Sequence, residues 1–199
     1  MPRTRLWMAL GLAAVAIIAA LLLDPWARAT LVRPRIYDGD FGRLLRVMGY
    51  VPTWLLAALA LWLHDRAAAR GGRRAAWLAL APIATGAAAE VLKLIFRRER
   101  PGAIGADYVF RAFDDRLWST SGLGLPSSHT MVAFGAAAAL ARIFPEGRWV
   151  WYALATGCGL SRVLAEAHWL SDVTVGAVVS IGMVAFAWSR RTPPSPPAA

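Results

Sequence analysis

Cysteine is nearly missing from this chain, and so is lysine. The one cysteine, Cys158, permits no intramolecular disulfide and carries no information about redox compartment; its place in an apolar run reads as packing. Lys93 is the only lysine among 22 cationic residues, which face just 12 acids. Histidine is scarce too, with three in 199 residues: His64, His129 and His168. No internal repeat and no composition shift marks a second, soluble domain.

What the chain has is apolar surface. It is 58% hydrophobic with a mean hydropathy of +0.47, too oily for a soluble domain with a polar exterior. Stretches at 6–23, 47–63, 75–96, 129–144, 149–166 and 171–189 approach the ~20 residues that cross a bilayer. The expected fold is therefore all-α, a polytopic membrane protein with six transmembrane helices over 1–189. The remaining 190–199, RRTPPSPPAA, reads as a disordered proline-rich tail. Most of the ten tryptophans, Trp26, Trp62 and Trp169 among them, fall near span ends, where amphipathic rings meet head groups.

The first run, LWMALGLAAVAIIAALLL, precedes an A-x-A sequence at Ala27–Ala29, as a signal peptide would. Its 18 residues exceed the ~7–15 of a signal core, so a retained anchor is expected. The net charge is +10 and the pI about 11.3. The cations are scattered between apolar spans, which argues against nucleic acid and for anionic lipid or an anionic substrate. No obligatory protein partner is evident. Six spans put both termini on one side. Cation density makes that side cytoplasmic, although the raw count does not. The composition suggests a bacterial inner membrane, with the site on its outer face.

Ionisable side chains in or beside spans are costly, so each is a functional candidate. Three clusters qualify. KLIFRRERP (93–101) carries Lys93 and, seven residues on, Arg100; a continuing helix would put both on a similar azimuth, ready to bracket an anion. Arg97 and Arg98 read as span-end anchors. PSSH (126–129) opens a helix whose free N–H groups favour an anion. Ser127 and Ser128 add hydroxyls there, and His129 is set to give or take a proton. Helix capping alone explains three of those four residues. SRVLAEAHWLSD (161–172) spaces His168 and Asp172 by one helical turn. The carboxylate can orient the ring and leave one nitrogen as a nucleophile. Arg162 can reach the same place, or pair with Glu166. One hairpin separates the clusters, so all three emerge on one face and His64 on the other. Glu90, one turn before Lys93, is the candidate to hold that lysine.

These residues fit K-x6-R-P (93–101), P-S-x-H (126–129) and S-R-x5-H-x3-D (161–172), in that order. The chain resembles the type-2 phosphatidic acid phosphatase superfamily, whose soluble relatives include the vanadium haloperoxidases. The usual second motif is Pro-Ser-Gly-His; here Ser128 replaces the glycine. The resemblance implies a membrane lipid phosphatase without a cofactor or metal. It makes His168 the nucleophile that forms a phosphohistidine, Asp172 its orienting group and His129 the acid, then base. Lys93, Arg100, Ser127, Ser128 and Arg162 would hold the phosphoryl oxygens. The substrate would be a lipid phosphate or diphosphate within the bilayer, such as undecaprenyl diphosphate, phosphatidylglycerophosphate, phosphatidic acid or lipid A phosphate. A phosphotransferase with a lipid acceptor and a non-enzymatic anion-binding protein are the competing readings.

Overall fold

The computed structural model describes residues 3–102 and 107–190. The tail expected to be disordered lies, from 191 onward, outside the described residues. Ala- and Leu-rich runs favour helix, since these side chains lose little rotamer freedom and do not compete for backbone hydrogen bonds. Among the described residues seven α-helices result: α1 Arg3–Leu31, α2 Asp40–Val47, α3 Val51–Ala67, α4 Arg73–Phe96, α5 Ser128–Ile143, α6 Arg148–Leu164 and α7 Leu170–Ser189. Among the described residues the only β pairing is two isolated bridges, Arg98 with Phe110 and Glu99 with Leu123.

By length and composition α1, α4 and α7 can cross a membrane, and α2 with α3 would add a fourth crossing bent by 71°. That is three or four candidates, against the six expected. The run expected at 47–63 breaks at Met48–Tyr50 because Gly49 interrupts it and Pro52, near the start of α3, begins a new helix. The other shortfall has a different cause. α5 has only 16 residues, about 24 Å, yet residues 130–140 are buried throughout. It is a core helix enclosed by α4, α6 and α7. Its run Gly135–Ala139 lets those neighbours approach closely, the usual basis of packing where lipid supplies no hydrophobic drive.

α1 presents mostly exposed apolar side chains and buries a narrow strip, Ala20, Asp24 and Ala27, which faces α7. The bundle has two chemically distinct ends. The end of α4 joins the starts of α5 and α7 at Lys93, Ser128 and Asp172. At the opposite end Asp65 of α3 pairs with Arg74 of α4 at 2.8 Å, and the exposed His64 lies beside it.

Candidate active site

Lys93, at the end of α4, is buried at 4% exposure and donates to Glu90 Oε1 at 2.8 Å. It also donates to the Ser128 hydroxyl, which in turn donates to the same Glu90 oxygen at 2.5 Å. The expected Glu90–Lys93 pair is therefore present, and Ser128 closes it into a triangle. The hydroxyl that replaces the family's glycine points at Lys93 and Glu90.

Arg100 does not reach the site on a continuing helix. α4 ends at Phe96, and Arg97 turns left-handed at φ 54° with its N–H on Lys93 O. The Arg97 guanidinium then bonds the carbonyls of Arg111, Ala112 and Asp115, which draws the chain out of the helix. Residues 98–100 run extended against the following loop. Arg97 and Arg98 are 2% and 3% exposed, so neither is the lipid-facing anchor the sequence suggested. Arg111, also buried, pairs with Glu99 at 3.1 Å and bonds Ser119 O and Ser121 O, so arginines staple this loop from within. Its Phe110, Phe113 and Trp118 are exposed. Arg100 itself is exposed; partial burial and the nearby Arg162 cation lower its pKa, with Asp172 and Glu90 opposing that.

Ser127 stands at the N-cap of α5, yet its side chain caps nothing; its Oγ is buried without a hydrogen-bond partner. Its N–H is already given to Asp172 O at 3.2 Å. The Ser127 amide is thus not a free phosphate donor as expected, and the amides from Ser128 onward remain at the helix start. His129 Nε2 is likewise buried without a partner.

His168 lies in the turn between α6 and α7, not within a helix, and is 2% exposed. Its Nδ1 is 3.0 Å from Gly124 O and 3.4 Å from Asp172 Oδ2. A carbonyl only accepts, so Nδ1 carries the proton and Nε2 keeps its lone pair. Burial pushes the ring's pKa down to about 4, against the pull of Asp172, so it is neutral at physiological pH. The spacing of four works because Asp172 is the third residue of α7 and accepts Trp169 N–H at 2.9 Å. Gly124 must be glycine here, since a Cβ would lie 2.7 Å from Asp172 Oδ2.

Several supporting residues carry no local sequence signal. Arg98 donates through Nε (3.2 Å) and Nη2 to Asp172 Oδ1, and through Nη2 to Ser171 Oγ at 2.8 Å. Asp24, 1% exposed on α1, accepts Ser171 N–H at 2.9 Å, the Ser171 hydroxyl at 2.5 Å and Tyr108 OH at 2.7 Å. Burial and that bond push the Tyr108 hydroxyl up to about 12, so it stays protonated and donates to Asp24. Arg162, 6% exposed, donates to Tyr37 OH at 3.0 Å and leaves its Nε buried and unpartnered. Glu166, the alternative partner for Arg162, pairs with Arg28 at 3.0 Å instead.

All eight sequence candidates, Lys93, Arg100, Ser127, Ser128, His129, Arg162, His168 and Asp172, thus gather at one end of the bundle. Arg162, His168 and Arg100 all lie close enough to His129 to act on it electrostatically. A family model described as the PAP2 superfamily matches residues 74–193, which contain all three motifs. No curated protein and no solved structure matches the chain.

Proposed function

The chain belongs to the PAP2 superfamily, whose members act as phosphatases on phosphate esters, and from that premise we propose that it hydrolyses a lipid phosphate or diphosphate through a phosphohistidine. The observation that carries the reading is the state of His168: Nδ1 is committed to Gly124 O and Asp172, Nε2 has no hydrogen-bond partner among the described residues, and the ring is neutral.

In this proposal Nε2 of His168 attacks phosphorus while the bond to the leaving oxygen breaks. His129 gives that oxygen a proton. Water then attacks phosphorus, His129 takes its proton, and the N–P bond breaks to release inorganic phosphate. Arg100, Arg162, Lys93 and the first amides of α5 hold the three equatorial oxygens, so fixed cations supply the charge stabilisation without a metal. Ser127 Oγ and Arg162 Nε, buried and unpartnered, are free to add hydrogen bonds to those oxygens. The lipid enters sideways from the bilayer. The proposal includes six crossings, by α1, α3, α4, α5, α6 and α7, in a bacterial inner membrane with the site on the outer face.

The test is acid-quenched trapping of radiolabelled phosphohistidine with phosphate release measured alongside. His168→Ala should abolish both while the purified protein keeps its wild-type elution profile in detergent. Near-normal turnover in that variant would sink the proposal. Transfer to an added lipid without free phosphate would replace hydrolysis by phosphotransfer.

A further inference from the structure

Arg46 has no role in the scheme above, yet it borders the site. It lies in the last turn of α2. Its guanidinium sits 5.0 Å from the centre of the Tyr37 ring and 5.8 Å from that of Tyr50. Its Nε is buried with no hydrogen-bond partner. The Tyr50 ring meets His129 edge-on at 5.1 Å. The bend between α2 and α3 packs on the same histidine, for a Cβ at Gly49 would come within 2.6–2.9 Å of it. Tyr37 also accepts Arg162 through its hydroxyl, so one tyrosine serves both arginines. Other arginines in this stretch are paired with acids: Arg35 with Asp38 at 2.7 Å and Arg43 with Asp40 at 3.5 Å. Arg46 has no such partner among the described residues.

We infer that Arg46, caged by Tyr37 and Tyr50 beside His129, binds the leaving-group phosphate and so selects a lipid diphosphate over a lipid monophosphate. The inference rests on the phosphatase reading above. Attack and departure are in line across phosphorus. With His168 on one side and His129 on the other, whatever lies beyond the leaving oxygen occupies the His129 side, where Arg46 stands. A monoester puts an alkyl chain there. A diphosphate puts a second phosphate there, and bond cleavage adds negative charge to it.

The charges agree with this. Lys93 is balanced by Glu90 and Arg98 by Asp172. That leaves Arg46, Arg100 and Arg162, none with a carboxylate at salt-bridge distance among the described residues. A monoester carries about two negative charges at neutral pH and an ester diphosphate about three. In the balanced step the His168 Nε2–P bond forms at the terminal phosphorus and the bond to the bridging oxygen breaks. That oxygen takes the His129 proton, and the lipid monophosphate departs against Arg46. Water then releases inorganic phosphate as before.

Farnesyl diphosphate and farnesyl monophosphate, in the same detergent micelles, separate the alternatives by kcat/KM. Wild type should prefer the diphosphate, and Arg46→Gln should reduce that preference about 10–100-fold, the effect of losing a charge-assisted contact. Arg46→Lys keeps the charge but loses the planar fork and the tyrosine stacking, so an intermediate preference is expected. If Arg46→Gln does not fold, Arg46→Lys decides, with a several-fold fall in preference expected. A variant that lowers both substrates equally, or a wild type without preference, overturns the inference and leaves the phosphatase reading standing. Turnover of neither lipid by wild type overturns the phosphatase reading itself.

Discussion

Replacing Arg98 by methionine removes the buried cation that pairs with Asp172 and keeps an unbranched apolar stem in its place. Both residues are buried, at 3% and 0% exposure. Taking one partner from such a pair costs about 3–5 kcal/mol, because the other charge stays in a low dielectric. Trp169 N–H and His168 still bond Asp172, which puts the expectation near the lower bound, about 3 kcal/mol. At about 2–4 °C per kcal/mol for a chain of this size, Tm should fall by about 6–12 °C. Tryptophan fluorescence in detergent reads it. The decisive measurement is a double-mutant cycle with Asp172→Asn. The double variant should be more stable than the sum of the single losses by at least about 2 kcal/mol. Phosphate release should fall about 100-fold in Arg98→Met, because Asp172 is then free to turn away from the His168 ring. A coupling below about 0.5 kcal/mol would refute the reasoning and return Arg98 to the role of a span-end anchor.

Asp24→Asn leaves at least one Ser171 or Tyr108 donor without an acceptor and loosens the first turn of α7; kcat should fall about 10-fold with KM within twofold, whereas an effect on KM alone would refute a positioning role. For His168, ring ¹⁵N shifts should show a neutral, Nδ1-protonated imidazole from pH 8 down to about 5, with a midpoint near 4; a midpoint at the ordinary 6.5 would contradict the burial argument. Because the folded ring binds a proton less readily than the unfolded one, its protonation penalises folding as pH falls from 6.5 toward about 4.

The helical content and the residues of the three motifs were legible because both are local properties, set by apolar runs and by spacing along the chain. Lys93 stood out as the lone lysine, and His168 and Asp172 by their interval of four. What escaped the sequence is what joins distant segments. Asp24 meets Ser171 across 147 residues, Arg98 meets Asp172 across 74, and Gly124 meets His168 across 44. No periodicity encodes such contacts. Arg97 and Arg98 looked like anchors because a cation after an apolar run has the same local pattern whether it faces lipid or protein. Length and composition recover three or four of the six expected spans, and α5 shows why span number is hard to read: it is as apolar as a lipid-facing helix, although protein surrounds it.

The tie between Asp24 and Ser171 also bears on how the molecule is made. α1 is synthesised before α7, and at about 5–20 residues per second the two partners are separated by about 7–30 s. Throughout that interval α1 carries a carboxylate on the strip that α7 will cover, at a cost of up to about 3 kcal/mol in an apolar setting. Any chain that stalls or is cut before Ser171 keeps this mark exposed, while one that has added α7 hides it in the same act that seats Asp172 beside His168. Arrival of α7 on α1 and readiness of the nucleophile are therefore one event.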